Sequence, residues 1–159
     1  MKQIASIKIV HEIDESPDTS YLGEYTSEYG KWIIERKHYG YPPERNQYER
    51  FKLYPSPSEG KTREERKELF RWAIKNYERM ESLNNGNWHY IGIRVIAEIN
   101  INGVLQDISS GGLWGIESDS SNDYIKEVEE EEISNLISQL KELGFTDEEI
   151  NEIEIEESE

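Results

Sequence analysis

Asp119, Asp123, Glu127, Glu130 and Glu131, followed by Asp147, Glu148 and Glu149, place eight carboxylates between residues 119 and 149. Glu129, Glu132, Glu152, Glu154, Glu156 and Glu157 thicken the run. Acids in such number single out no general acid–base couple. The chemistry they offer is electrostatic: they repel nucleic acid and anionic membranes and attract basic surfaces. Residues 117–159 hold 17 acids against Lys126 and Lys141, a net charge of −15 out of the chain's −16; residues 1–116 hold 17 acids and 16 bases. A helix of about 22 residues spans about 33 Å, and duplex DNA of that length carries roughly 20 phosphates. The acidic run approaches that density and suits the nucleic-acid groove of a basic protein. The plainer reading is a solvated face. Asp123 and Glu127, like the acids at 147–149, fall in or near helix first turns, where negative charge relieves the helix dipole.

Other groups invite chemistry less strongly. Gly111, Gly112 and Gly115 offer backbone amides to an anion ahead of a helix, but the segment lacks a P-loop lysine and the G-x-G-x-x-G pattern. A structural turn packing Leu113, Trp114 and Ile116 is the competing reading. Glu117, Asp119 and Asp123 are half of an oxygen-ligand set without EF-hand spacing, and His11, His38 and His89 form no zinc motif, so no metal site is expected. Residues 31–79 carry 13 bases and 8 acids. There Arg36, Lys37, Tyr39, Tyr48, Arg50, Lys52 and Tyr54 interleave charge and rings as stacking platforms do. Ordinary strand faces look the same, and the clustered acids argue against a net binder of nucleic acid. A contact between this stretch and the protein's own acidic helix, in cis or in a homodimer, fits equally. A small enzyme or ligand-binding module would place its pocket near Tyr21, Arg94, Trp114 and Asp119. No serine lies in G-x-S-x-G and no nucleophile–base pair is adjacent. Catalytic residues and cofactors are therefore not assigned, and an interaction protein is expected rather than an enzyme.

Secondary-structure spacing must position these groups. Ile4, Ile7, Ile9, Val10 and Ile13 predict a strand with imperfect alternation. A loop follows at Pro17, then a short irregular element from Tyr21 to Tyr29. Trp32 to Tyr39 and Tyr48 to Tyr54 predict two antiparallel strands, with Phe51 and Leu53 on one face. Thr62 and Glu65 fit a capping box opening a helix to Leu83, whose apolar stripe is Leu69, Phe70, Ala73, Ile74, Tyr77 and Met80. Trp88 to Ile101 is the strongest strand, Asn102-Gly103 a two-residue hairpin turn, and Val104 to Ser109 the returning strand. Residues 122–143 predict the second helix, burying Ile125, Val128, Ile133, Leu136, Ile137 and Leu140. Gly144 stops it. Thr146 to Glu149 opens a short helix, and the last glutamates are expected to fray. The order predicts an α+β fold: a mainly antiparallel sheet of about five strands with two longer helices and one short C-terminal helix. No polar linker divides the chain, so residues 1–159 read as one domain whose acidic helical part begins near 117.

The 17 aromatics argue against disorder, and the absence of cysteine removes disulfides, thiolate metal sites and cysteine nucleophiles. No apolar run reaches the ~18 residues of a membrane span, and the first residues lack a signal peptide's apolar stretch. A cytoplasmic protein with no membrane partner is expected.

Three segments, DESPDTSYLGEY (Asp14–Tyr25), GNWHYIGIRVIAE (Gly86–Glu98) and SSGGLWGIESDS (Ser109–Ser120), resemble a family of small accessory proteins encoded by tailed phages, plasmids and other mobile elements of bacteria. The resemblance covers most of the chain, and its third segment is the most specific. It carries over no catalytic residue. It implies a setting in the bacterial cytoplasm where inhibitors of host defence are common. A basic nucleic-acid-binding host protein, such as a CRISPR or restriction component, is then the expected partner.

Overall fold

Isoleucines build the first strand, and a bulge explains their uneven spacing. The computed structural model describes residues 1–36 and 48–157. Its strands in chain order are β1 (Lys2–Ile13), β2 (Glu24–Thr26), β3 (Ile33–Glu35), β4 (Arg50–Lys52), β5 (Tyr90–Ile101), β6 (Val104–Ser109), β7 (Leu113–Glu117) and β8 (Ile155–Glu157). Its helices are α1 (Arg63–Asn84), α2 (Asn122–Glu142) and α3 (Asp147–Asn151). In β1 the register against β5 shifts between Ile4 and Ser6. The extra residue, Ala5, lets Ile4 and Ile7 face the same way although they lie three apart.

The fold is α+β, and it divides into two compact units: Met1–Pro17 with His89–Glu159, and Asp18–Trp88. Sequence composition marks no boundary at Pro17 or Trp88, which is why the chain reads as one domain before its contacts are known.

In the first unit, β5 is flanked by β6 and β1, with β8 beyond β1 and β7 pairing a separate stretch of β5. Ile91, Ile93, Val95, Ala97 and Ile99 are buried on one face of β5, as period-two alternation requires. Asn102 (φ 53°) and Gly103 (φ 87°) close a two-residue turn in which Ile101 faces Val104. Both dihedrals are those of a type I′ hairpin. Helix α2 covers the inner face through Val128, Leu136 and Leu140, which join the β1 and β5 side chains in one core. Gly144 (φ 95°) ends the helix, and the Phe145 amide donates to the Leu140 carbonyl, the longer bond of a Schellman ending. One expectation fails here. The terminal glutamates do not all fray: Ile155–Glu157 pair in parallel with Ile7–Ile9. Ile153 and Ile155 alternate with Glu154 and Glu156, and that period of two carries the strand despite the charge.

In the second unit, β4 lies between β2 and β3, antiparallel to both. Phe51 and Leu53 are buried together, and the Phe51 ring meets Tyr25 at 5.2 Å and Tyr77 at 5.0 Å between centroids. The expected strand over residues 32–39 is found only as Ile33–Glu35; its part from Lys37 to Tyr39, with His38, lies outside the described residues. Helix α1 starts with both halves of the Thr62–Glu65 capping box formed. Ala73, Tyr77 and Met80 are buried, but Phe70, at the margin of the stripe, stays 41% exposed.

Candidate interaction surface

Helix α2 sorts the acidic run into two kinds of carboxylate. Val128, Glu132, Leu136 and Leu140 recur every four residues and are all buried. Glu132 is therefore on the core stripe by spacing alone. Its carboxylate accepts the Gly112 N–H at 2.7 Å and the Asn135 side-chain N–H at 3.3 Å, so it clamps the glycine-rich turn to the helix. Glu129, one turn earlier, is half-buried and lies 3.1 Å from the His11 imidazole on β1. These two acids belong to the fold, not to an outward field.

Asp123, Glu127, Glu130 and Glu131 are exposed and recur at i, i+4, i+7 and i+8, one outward face of α2. Glu127, Glu130 and Glu131 have no hydrogen bond or ion pair from their side chains among the described residues. The four span about 12 Å of helix, one carboxylate per ~3–4 Å. That approximates the spacing of phosphates along one strand of a duplex, ~3.4 Å per charge, over a much shorter length than 33 Å. Ser134, Asn135 and Ser138 are exposed beyond them on the helix and carry no charge.

The remaining predicted acids gather after α2. Asp147 is exposed and pairs with Lys141 at 2.8 Å. Glu149 is half-buried and completes the Thr146 capping box. Glu148 is exposed between them. Asp119 is exposed in the turn before α2 and has an interaction within the protein. The stripe on α2 and Glu148 are thus the part of the predicted set whose charge is not answered by a described cation.

The glycine-rich segment is built as a turn. The Gly112 amide is taken by Glu132, and the Gly115 amide by Asp14 at 3.0 Å. Both amides thus face carboxylates, which repel a phosphate. Gly115 (φ 74°) sits where the β5–β7 register slips between Ile91 and Ile93, so Trp114 and Gly115 together oppose Gly92. A Cβ on Gly92 would fall 2.1 Å from the Trp114 ring. The indole therefore lies directly on the Gly92 backbone. Gly92→Ala should displace Trp114 at a cost of about 1–2 kcal/mol. A red-shifted tryptophan emission and an earlier urea midpoint would be the readout; an unchanged spectrum contradicts the packing.

Of the predicted pocket residues, Arg94 and Trp114 share the first unit with Asp119, and Tyr21 belongs to the second. The Arg94 Nε donates to Glu12 at 3.0 Å, and its guanidinium also reaches Ser109. Arg94 is thus held within the sheet face. Among the described residues no three His, Asp or Glu side chains gather as a metal-binding group.

In the second unit the basic-aromatic stretch departs from the stacking-platform reading. Arg36 is buried and bonded to Glu81 at 2.7 Å and to the Tyr48 carbonyl. Arg50 is buried, donates to the Ser27 carbonyl and lies 3.5 Å from the Tyr29 ring centroid. Both arginines serve the interior. Lys37 and Tyr39 lie outside the described residues.

No protein-family model, curated protein or solved structure matches the chain. Among the described residues no helix is long and apolar enough to cross a membrane.

Proposed function

We propose that this protein is an acidic interaction protein of a bacterial mobile element, acting in the host cytoplasm. On this reading it binds and blocks a basic, nucleic-acid-handling host protein, such as a CRISPR or restriction component. The observation that carries the reading is the outward stripe of Asp123, Glu127, Glu130 and Glu131 on a helix anchored by Val128, Leu136 and Leu140. A rigid stripe loses little conformational freedom on binding, and its charge spacing is close to that of a phosphate strand. The charge is also segregated. The first unit carries 22 acids and 5 bases, the second 12 acids and 13 bases. The resemblance of Asp14–Tyr25, Gly86–Glu98 and Ser109–Ser120 to accessory proteins of mobile elements supplies the setting.

The test is capture from bacterial lysate on two columns, one bearing the wild-type chain and one bearing Glu127→Lys, Glu130→Lys, Glu131→Lys and Glu148→Lys together. A nucleic-acid-binding protein should be retained by the first, eluted by salt, and absent from the second. Equal, salt-insensitive retention on both columns contradicts it.

A further inference from the structure

Cations and aromatic rings meet on a surface of the second unit that the acidic reading does not use. Arg63, Arg66, Lys67, Phe70 and Arg71 recur at i, i+3, i+4, i+7 and i+8, one face of α1. With Trp32 they line an open cleft of ≈ 360 Å³, within the range of small-ligand sites. The Trp32 and Phe70 rings lie 6.2 Å apart with their planes inclined at 50°. The Lys31 ammonium lies 5.5 Å from the Trp32 centroid. Arg66 is held by the Gly60 carbonyl and Arg71 by Glu68. Arg63 and Lys67, one turn apart and exposed, have no hydrogen bond or ion pair among the described residues. The buried indole N–H of Trp32 has no acceptor among the described residues.

We propose that this cleft binds a nucleotide: an aromatic base against Trp32 and Phe70, and its phosphate on Arg63 and Lys67. Both halves of the cleft select this ligand. An acidic peptide answers the cations and leaves the rings uncovered. An apolar ligand covers the rings and leaves the Arg63 guanidinium and the Lys67 ammonium beside it unanswered. A base stacks on any aromatic face, and its phosphate answers the cations. The ligand's source is a free nucleotide or a single strand, which present the same chemistry. The site is independent of the acidic stripe and stands or falls without it.

The experiment uses the full chain, titrated in parallel with a fluorescent oligothymidylate of about ten residues and with ATP, at about 50 mM salt. Binding of either one is expected. Saturation by ATP marks a free nucleotide as the source, and binding of the oligomer alone marks a single strand. Phe70→Ala, at a largely exposed ring, should weaken binding about tenfold. For the oligomer, Arg63→Gln and Lys67→Gln should each lower the salt slope by about 0.7. Glu130→Gln should leave the affinity the same or slightly higher. Thermal melting of each variant separates lost binding from lost folding. No binding of either probe at about 1 mM overturns the proposal. So does binding that Phe70→Ala does not change, or that inorganic phosphate displaces as well as the nucleotide does. A basic stripe that instead mediates self-association, lost in the Arg63 and Lys67 variants without any nucleotide binding, overturns it equally.

Discussion

Replacing Glu132 by alanine should destabilise the protein by about 2–3 kcal/mol, while the same change at the adjacent Glu131 should cost under about 0.5 kcal/mol. Glu132 is 5% exposed, and its carboxylate is the acceptor for Gly112 and Asn135. Truncation leaves the Gly112 amide without its acceptor and opens a space beside Leu136 in the core of the first unit. A donor stripped of its acceptor costs about 1–3 kcal/mol, and the lost packing adds to that. Glu132→Gln keeps an acceptor oxygen and should lose less than half as much. Glu131, about 100° round the helix, is exposed and has no side-chain hydrogen bond or ion pair among the described residues, so its removal should cost little. Urea unfolding of the three variants checks this. Equal losses at Glu131 and Glu132 would mean that the clamp on the glycine-rich turn contributes nothing.

The charge-reversed variant of Glu127, Glu130, Glu131 and Glu148 should bind the captured partner at least about 100-fold more weakly than wild type. Exposed charge pairs contribute about 0.2–1 kcal/mol each, and reversal turns each attraction into a repulsion of similar size. Four such changes reach about 3 kcal/mol, or a factor of about 100. Asp147 and Glu149 are left unchanged because one pairs with Lys141 and the other closes a capping box. Their loss would confuse stability with binding. Wild-type affinity should fall steeply with salt, since the screening length shrinks from about 10 Å at 0.1 M to about 3 Å at 1 M. A variant that keeps wild-type affinity and salt dependence would place the interface elsewhere.

Much of the fold is legible because it is local. Thr62 with Glu65, Thr146 with Glu149, Asn102-Gly103 and Gly144 each specify their caps or turn from neighbours within a few residues. The isoleucine alternation of β5 is equally plain. What escapes is set by pairing at long range. Ile155–Glu157 become a strand only because β1 offers an open edge, which composition does not reveal. The division at Pro17 and Trp88 arises from contacts between distant segments.

The candidate surface is legible in composition but not in extent. Fourteen clustered acids suggest one long charged face. The four-residue spacing from Val128 to Leu140 passes through Glu132, and that spacing marks it as buried. Glu129 is drawn to His11 on a strand more than a hundred residues away. What remains is a stripe about 12 Å long on α2, with Glu148 beyond the end of that helix. In the second unit two cations of the basic-aromatic stretch, Arg36 and Arg50, are buried. Arg36, just after β3, and Arg50 of β4 turn inward to satisfy Glu81 and Ser27, while the helical spacing of Arg63, Lys67 and Phe70 builds an outward cleft.

The most direct test of the central claim is displacement. The captured partner is loaded with a fluorescent nucleic acid that it binds, and this protein is added while anisotropy is followed. The nucleic acid should be released near stoichiometric protein, at low salt, by the wild-type chain and not by the charge-reversed variant. Nucleic acid that stays bound while both proteins sit on the same partner would contradict an acidic face that occupies the nucleic-acid groove.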